Sequence, residues 1–233
     1  MHIVFEPFFI GRITDVNKKS LAKRFMTRIP CVTLISLCAC PLFSDKTDLS
    51  FSNERSVPVT VYVSFGSDSA VTAEDWDFCD GEGLTCEFTL RGNAVKKLPL
   101  KQEYINATFS VNQPVGCGVT KAEVNLNNDS WYDTMDVSLV DGFSDRLQIV
   151  YRATGENPIE IGLPNGKSGN ERVLGLFPLG CDVCVDRQNP PCGIPKGGSG
   201  CKAGTQYDPH PPCQYQGKTM GGGGSVEIQL KEG

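Results

Sequence analysis

Three carboxylates in the stretch TKAEVNLNNDSWYDTMDVSLVDGFS, Thr120 to Ser144, are the residues of this 233-residue chain best placed to do chemistry: Glu123, Asp136 and Asp141. Acidic side chains that share one groove are the raw material of general acid and base catalysis. Like charges and partial burial push their proton affinities apart, so that one group holds a proton while another is ionised. The local pattern can bring them together. In DVSLVDG the alternation sends Val137 and Leu139 to one face and Asp136 and Ser138 to the other, a half-buried strand that ends in an Asp141-Gly142 turn. The plainer reading is that Asp at a strand end hydrogen-bonds its own turn, and that Glu123, between Ala122 and Val124, faces water. Trp131 and Tyr132 precede Asp136 by a few positions and Trp76 lies upstream. Such rings serve either as core residues or as flat platforms for a ligand with an apolar face.

The elements that must hold these residues are strands. VPVTVYVSF (57–65), CEFTL (86–90), INATFSV (105–111), KAEVNL (121–126), MDVSLV (135–140) and RLQIVYR (146–152) are short, alternating and separated by Gly, Asn or Asp. That texture predicts an all-β, antiparallel β-sandwich of low helix content. Between Asn189 and Gly224, sixteen of thirty-six residues are Gly or Pro, which predicts a looped region without strands or helices. SVEIQL (225–230) then reads as a last strand returning to the sandwich. The organisation expected is a leader and signal at 1–44, a sandwich core with the acidic segment at 49–155, a Cys-rich loop region at 156–224 and a final strand at 225–231.

With 39% apolar and 21% charged residues, the chain has the composition of one ordinary domain, large enough to bury roughly 70% of its unfolded surface. The formal charge is -5, and residues 1–40 carry six Lys or Arg against two Asp or Glu, leaving 16 basic and 25 acidic residues beyond them. A balance near -9 excludes phosphate-backbone binding, so no nucleic-acid partner is expected. Residues 26–44, MTRIPCVTLISLCACPLFS, have a basic entry, a short apolar centre and small residues after it, the build of a secretion signal. Met26 is then a plausible initiator. Leu37-Cys38-Ala39-Cys40 also has the look of a lipobox, in which case Cys40 is acylated and the protein membrane-anchored; otherwise Cys31, Cys38 and Cys40 are apolar residues of the signal.

Beyond the signal stand Cys79, Cys86, Cys117, Cys181, Cys184, Cys192, Cys201 and Cys213, an even number that reads as disulfides in an exported chain. Cys79 and Cys86 are expected to pair across a Gly-rich turn. Cys181-Asp-Val-Cys184 does not recur as a second knuckle and His210 is the only His beyond the signal, so neither a metal nor a cofactor is expected. His210, inside Asp208-Pro-His-Pro-Pro212, is poorly placed for a nucleophile site. GKSG (166–169) and GGGG (221–224) lack the strand and helix context of a phosphate loop. Asn106 and Asn128 head glycosylation sequons.

TKAEV followed by DVSLVDGF resembles the signature of thaumatin-like proteins, whose familiar form is TLAEF and then DVSLVDGFN. Glu123, with Asp136 and Asp141 thirteen and eighteen positions after it, matches three members of that family's acidic-cleft set of one Arg, one Glu and three Asp. LSFSNERSVPVTVYVSF (49–65) is similar to the family's first hairpin. The departures are fewer cysteines, none near Arg55-Ser56, and no counterpart of the R-T-G-C segment that carries the cleft Arg. The resemblance implies a β-sandwich of thaumatin-like type, a Cys-rich region as second wall of the cleft, and a secreted, monomeric protein that binds a polysaccharide of β-1,3-glucan type. It further implies Glu123 as general acid, Asp136 or Asp141 as base or nucleophile of a weak glucanase, and a defence-like role. The rival expectation is a secreted or surface-anchored interaction protein whose partner is a surface protein and whose acidic set is decoration.

A region so rich in Gly and Pro has little core and depends on disulfides worth about 2–4 kcal/mol each. Proteolysis under dithiothreitol is expected to cut between Cys181 and Cys213 before it cuts the sandwich. Equal resistance with and without reductant would contradict disulfides at these positions.

Overall fold

The computed structural model describes residues 46–162, 173–177 and 213–232. The leader with Cys40, the cysteines 181, 184, 192 and 201, and His210 lie outside them. Among the described residues the chain forms β1 (Thr47–Asn53), β2 (Val59–Phe65), β3 (Thr85–Leu90), β4 (Ala94–Leu98), β5 (Ile105–Val111), β6 (Lys121–Leu126), β7 (Tyr132–Ser138), β8 (Leu147–Arg152), β9 (Ile159–Ile161), β10 (Leu176–Phe177), β11 (Tyr215–Met220) and β12 (Gly224–Leu230). One 3-10 turn, Ala73–Asp75, is the only helical segment among them.

Period-2 alternation explains most of these strands. In β2, Val59, Val61, Val63 and Phe65 are buried while Thr60, Tyr62 and Ser64 are half-buried, so a single sequence of β-branched and aromatic residues defines an inner and an outer face. β5 and β6 coincide with the expected segments, and β12 starts one residue earlier than expected. The short β9 and β10, inside the expected loop region, and two longer strands escape the pattern. β4 is AVKKL at a sheet edge, where Lys96 and Lys97 interrupt the apolar rhythm and guard the edge against pairing. β11 is YQGKTM, inside the stretch whose Gly and Pro content argued against strands. It forms because β7 offers a ladder: Tyr215 pairs with Met135 and Gln216 with Thr134.

The strands make two sheets, β4-β1-β12-β8-β9 and β10-β7-β6-β5-β2-β3, with β11 alongside the first half of β7 and β10 along its second half. The sandwich is antiparallel except at β1–β12 and β10–β7. β1 and β12 lie side by side in the middle of one sheet, so the chain between them must close over itself before the sheet is complete. Between the sheets, Phe51 and Phe109 meet with ring centroids 6.2 Å apart, both fully buried. Trp76 packs edge-on to Phe65 and stacks on Phe78, and its Nε1 donates to the Pro99 carbonyl at 2.8 Å. At 2% exposure it is a core residue and no ligand platform.

A buried polar knot ties the two sheets at one end. Thr47 N donates to Asn127 Oδ1 at 2.7 Å and Asn127 Nδ2 returns a bond to the Thr47 carbonyl at 3.0 Å. Asp133 accepts from Asn127 N at 2.8 Å and from Thr47 Oγ1, which in turn accepts from Gly223 N at 2.7 Å. Burial pushes the Asp133 carboxyl above the usual range, opposed by the bonds from Thr47 and Asn127 and by the charge of Lys46. Because its folded value lies above the unfolded one, ionised Asp133 costs stability above the folded value, and that cost lifts as pH falls through it. Burial and the Asp133 charge also push the Tyr151 hydroxyl up to about 12, so it remains a donor to the Gly223 carbonyl.

Asp133→Ala strands the Asn127 N–H and the Thr47 hydroxyl in a dry seam, and each orphaned group costs about 1–3 kcal/mol. Urea unfolding at neutral pH is expected to register a loss of about 2–5 kcal/mol. A loss under about 0.5 kcal/mol would mean that water already reaches the knot.

Candidate functional site

The three sequence-predicted carboxylates lie on the outer face of the larger sheet or just beyond its edge. On β6, Ala122, Val124 and Leu126 point into the core, which turns Lys121, Glu123 and Asn125 outward. On β7, Met135 and Val137 are fully buried inward and Thr134, Asp136 and Ser138 take the other face. Glu123 and Asp136 are paired in the β6–β7 register, so they stand directly opposite one another with Cβ atoms about 5 Å apart. Glu123 is half-buried. Asp136 is only 2% exposed, because the outer face of β7 is covered, and Gln214 Nε2, just ahead of β11, donates to its Oδ1 at 3.2 Å.

Asp141 sits in the turn after β7, held by its backbone. Gly142 N donates to the Leu139 carbonyl at 3.0 Å, and the Asp141 carbonyl accepts from Gly118 N at 2.7 Å. Gly142 has φ +148 and lies so close to the β5–β6 loop that a Cβ there would meet Gly118 Cα at 2.4 Å. The close approach requires glycine. The Asp141 carboxylate is ion-paired with Lys121 Nζ, both side chains being nearly buried at 12% and 14% exposure. Lys121, opposite Ser138 and two positions before Glu123, shares the Glu123 face and links the two ends of the acidic set.

Lys121 is the residue of the candidate site that sequence reasoning passed over. Its signal is present in TKAEV, where a cation stands at the outward position two before the Glu. Its pairing separates the roles left open between the two aspartates: Asp136 faces Glu123, and Asp141 is bound up with a cation.

Tyr132 has the parity of Asp136 on β7, so its ring lies on the same face about 13 Å along the strand. Trp131 is 57% exposed and meets Tyr132 edge-to-face at 6.0 Å. The exposed Met220 side chain stands opposite Tyr132 on β11. At the other side of the sheet Cys79 and Cys86 form a disulfide. Elsewhere Cys117 and Cys213 are each engaged in a disulfide. Among the described residues no three His, Cys, Asp or Glu side chains stand together as a metal site, and no helix is long and apolar enough to cross a membrane.

No family model matches the sequence, and no curated protein matches it. Among solved structures it aligns with a thaumatin-like xylanase inhibitor at 12% identity and TM-score 0.39, over 79% of this chain and 99% of that one. It aligns equally with the protein elicitor MoHrip2 from Magnaporthe oryzae at 12% identity and TM-score 0.39, over 79% and 98%. Neither ligand nor activity follows from a likeness of that degree. The all-β sandwich stands on the strand pairing itself.

Lys121→Met removes the cation beside a nearly buried carboxylate and is expected to cost about 2–4 kcal/mol by chemical denaturation. Adding Asp141→Asn should restore most of that loss, because the uncompensated charge goes with it. Additive losses in the double variant would show that the two side chains are energetically independent.

Proposed function

We propose that this chain is an exported thaumatin-like protein that binds a neutral polysaccharide of β-1,3-glucan type on the outer face of its larger sheet. The single observation that carries the reading is the register that sets Glu123 opposite Asp136, on a face that also presents Tyr132. Carboxylates accept hydrogen bonds from sugar hydroxyls, and an aromatic ring covers the apolar side of a pyranose. Trp131, exposed and braced by Tyr132, supplies the stacking surface at the hairpin end of that face. Gln214 and Lys121 keep Asp136 and Asp141 in place while the half-buried Glu123 remains accessible. An acidic, hydroxyl-lined surface suits an uncharged polymer and repels a phosphate-bearing one.

Should the site cleave as well as bind, Glu123 is the acid and Asp136 its partner. Carboxyl groups on directly opposed strand positions suit the short separation, about 5 Å, that gives retention of configuration.

The test is retention on insoluble β-1,3-glucan beside cellulose and chitin. The wild-type protein is expected in the β-1,3-glucan pellet, with retention reduced by roughly tenfold in Glu123→Gln/Asp136→Asn and by several-fold in Trp131→Ala. Retention on none of the three polymers would overturn the reading and favour a protein partner, as would glucan retention unchanged in all these variants.

A further inference from the structure

A second feature lies on the same face, across the strands from the acidic pair. A cleft of about 380 Å³ opens over β2 and β3 and is lined by Tyr62, Ser64, Asp80, Thr85, Glu87 and Pro114 among others. Sheet register sets its floor in two parallel rows. One runs Thr85, Ser64, Thr108, Glu123, Asp136 over β3, β2, β5, β6 and β7, each residue paired with the next. The other runs Asp80, Glu87, Tyr62, Ser110, with Asp80 brought into line by mutual backbone bonds to Glu87 at 2.8 Å. The Cys79–Cys86 disulfide flanks that bridge and holds the Asp80 segment against β3. Exposure falls along the first row, from open Thr85 through half-buried Ser64, Thr108 and Glu123 to buried Asp136. The row therefore leads from the rim of the sheet into the acidic pair.

Every side chain on these two rows is a hydroxyl, a phenol or a carboxylate. Cross-strand neighbours repeat every 4.8 Å or so, which places the cleft about 10–14 Å from Glu123, two strand spacings away at β2 and three at β3. A ligand that lies across the strands then meets an ordered succession of hydrogen-bonding groups with one aromatic ring among them, the buried Ser110 and Asp136 closing the two rows. Nucleic acid is excluded by the three carboxylates of the rows outside Asp136, and a purely apolar chain would leave the polar groups without partners.

We propose that this cleft is a distal subsite for the same neutral oligosaccharide chain, with Tyr62 as its stacking ring and Asp80 and Glu87 as acceptors for sugar hydroxyls. The inference rests on the polysaccharide reading of the acidic face and adds a direction to it: the chain crosses the strands from β7 toward β3. Short ligands fill only the acidic pair, and longer ones reach the cleft and gain affinity there. The disulfide is a positioning device, since it fixes Asp80 opposite Glu87.

The experiment is calorimetric titration of the full chain with soluble β-1,3-gluco-oligosaccharides of increasing length. Affinity is expected to rise once the oligomer exceeds the three-strand span. Tyr62→Ala and, separately, the near-isosteric Glu87→Gln should each erase about tenfold of the gain for the longest oligomer while leaving the shortest ligand that binds unchanged. Circular dichroism of Glu87→Gln provides the folding control. Two results would overturn the subsite: wild-type affinity that does not grow with length, or variants that weaken all lengths equally or none. Failure of the wild type to bind any length overturns both this inference and the reading beneath it, whereas length-independent binding sinks the subsite alone.

Discussion

The β6–β7 hairpin depends on one buried carboxylate. Asp133 accepts the Asn127 N–H within the hairpin and the Thr47 hydroxyl from the opposite sheet, so a single side chain fixes both the register of the hairpin and the closure of the sandwich at that end. A slip of one residue in a strand of period 2 would turn every outward group inward. Glu123 faces Asp136 because that slip is blocked. The bonds from Thr47 and Asn127 and the charge of Lys46 offset part of the cost of burying Asp133, and burial still outweighs them.

From that register the outer face takes its character. Sandwich sheets normally give one face to the core and one to water, and here the water-side face of β7 is itself buried: Thr134, Asp136 and Ser138 are nearly as inaccessible as Met135 and Val137. A strand closed on both sides cannot carry an uncompensated acidic residue. Gln214 reaches Asp136, and Lys121 neutralises Asp141 from the neighbouring strand. The acidic set is thus built as a supported cluster, graded from covered Asp136 to accessible Glu123.

The edges of the larger sheet are finished in different ways. β10 and β11 share the flank of β7, and the other edge, β3, is extended by the Asp80–Glu87 bridge under the Cys79–Cys86 disulfide. β10 and β11 also add to the core, through buried Leu176 and through Tyr215 packed against it, whereas the Asp80–Glu87 bridge adds carboxylates to the outer face. Acidic Asp75, in the 3-10 turn behind this edge, is held low first by its bond from Lys101, so its small, solvent-screened contribution is present near neutrality and is lost as pH falls.

The sequence by itself determined the fold class and the parity of the strands, because alternation in segments such as VTVYVSF and KAEVNL is a local consequence of backbone geometry. It also singled out Glu123, Asp136 and Asp141 as candidates, and it paired Cys79 with Cys86 across the short turn between them, as the structure has them. It could not say that Trp76 is core while Trp131 is exposed, since both sit in polar surroundings in the chain and differ only in what packs around them. None of β4, β9, β10 and β11 was legible, because each exists through the strand it pairs with rather than through its own propensity. The pairing of Lys121 with Asp141 and the direct opposition of Glu123 and Asp136 were likewise decided by tertiary structure. Contacts between groups thirteen to twenty residues apart depend on register, and register is set by the whole sheet and by the buried Asp133 that locks it.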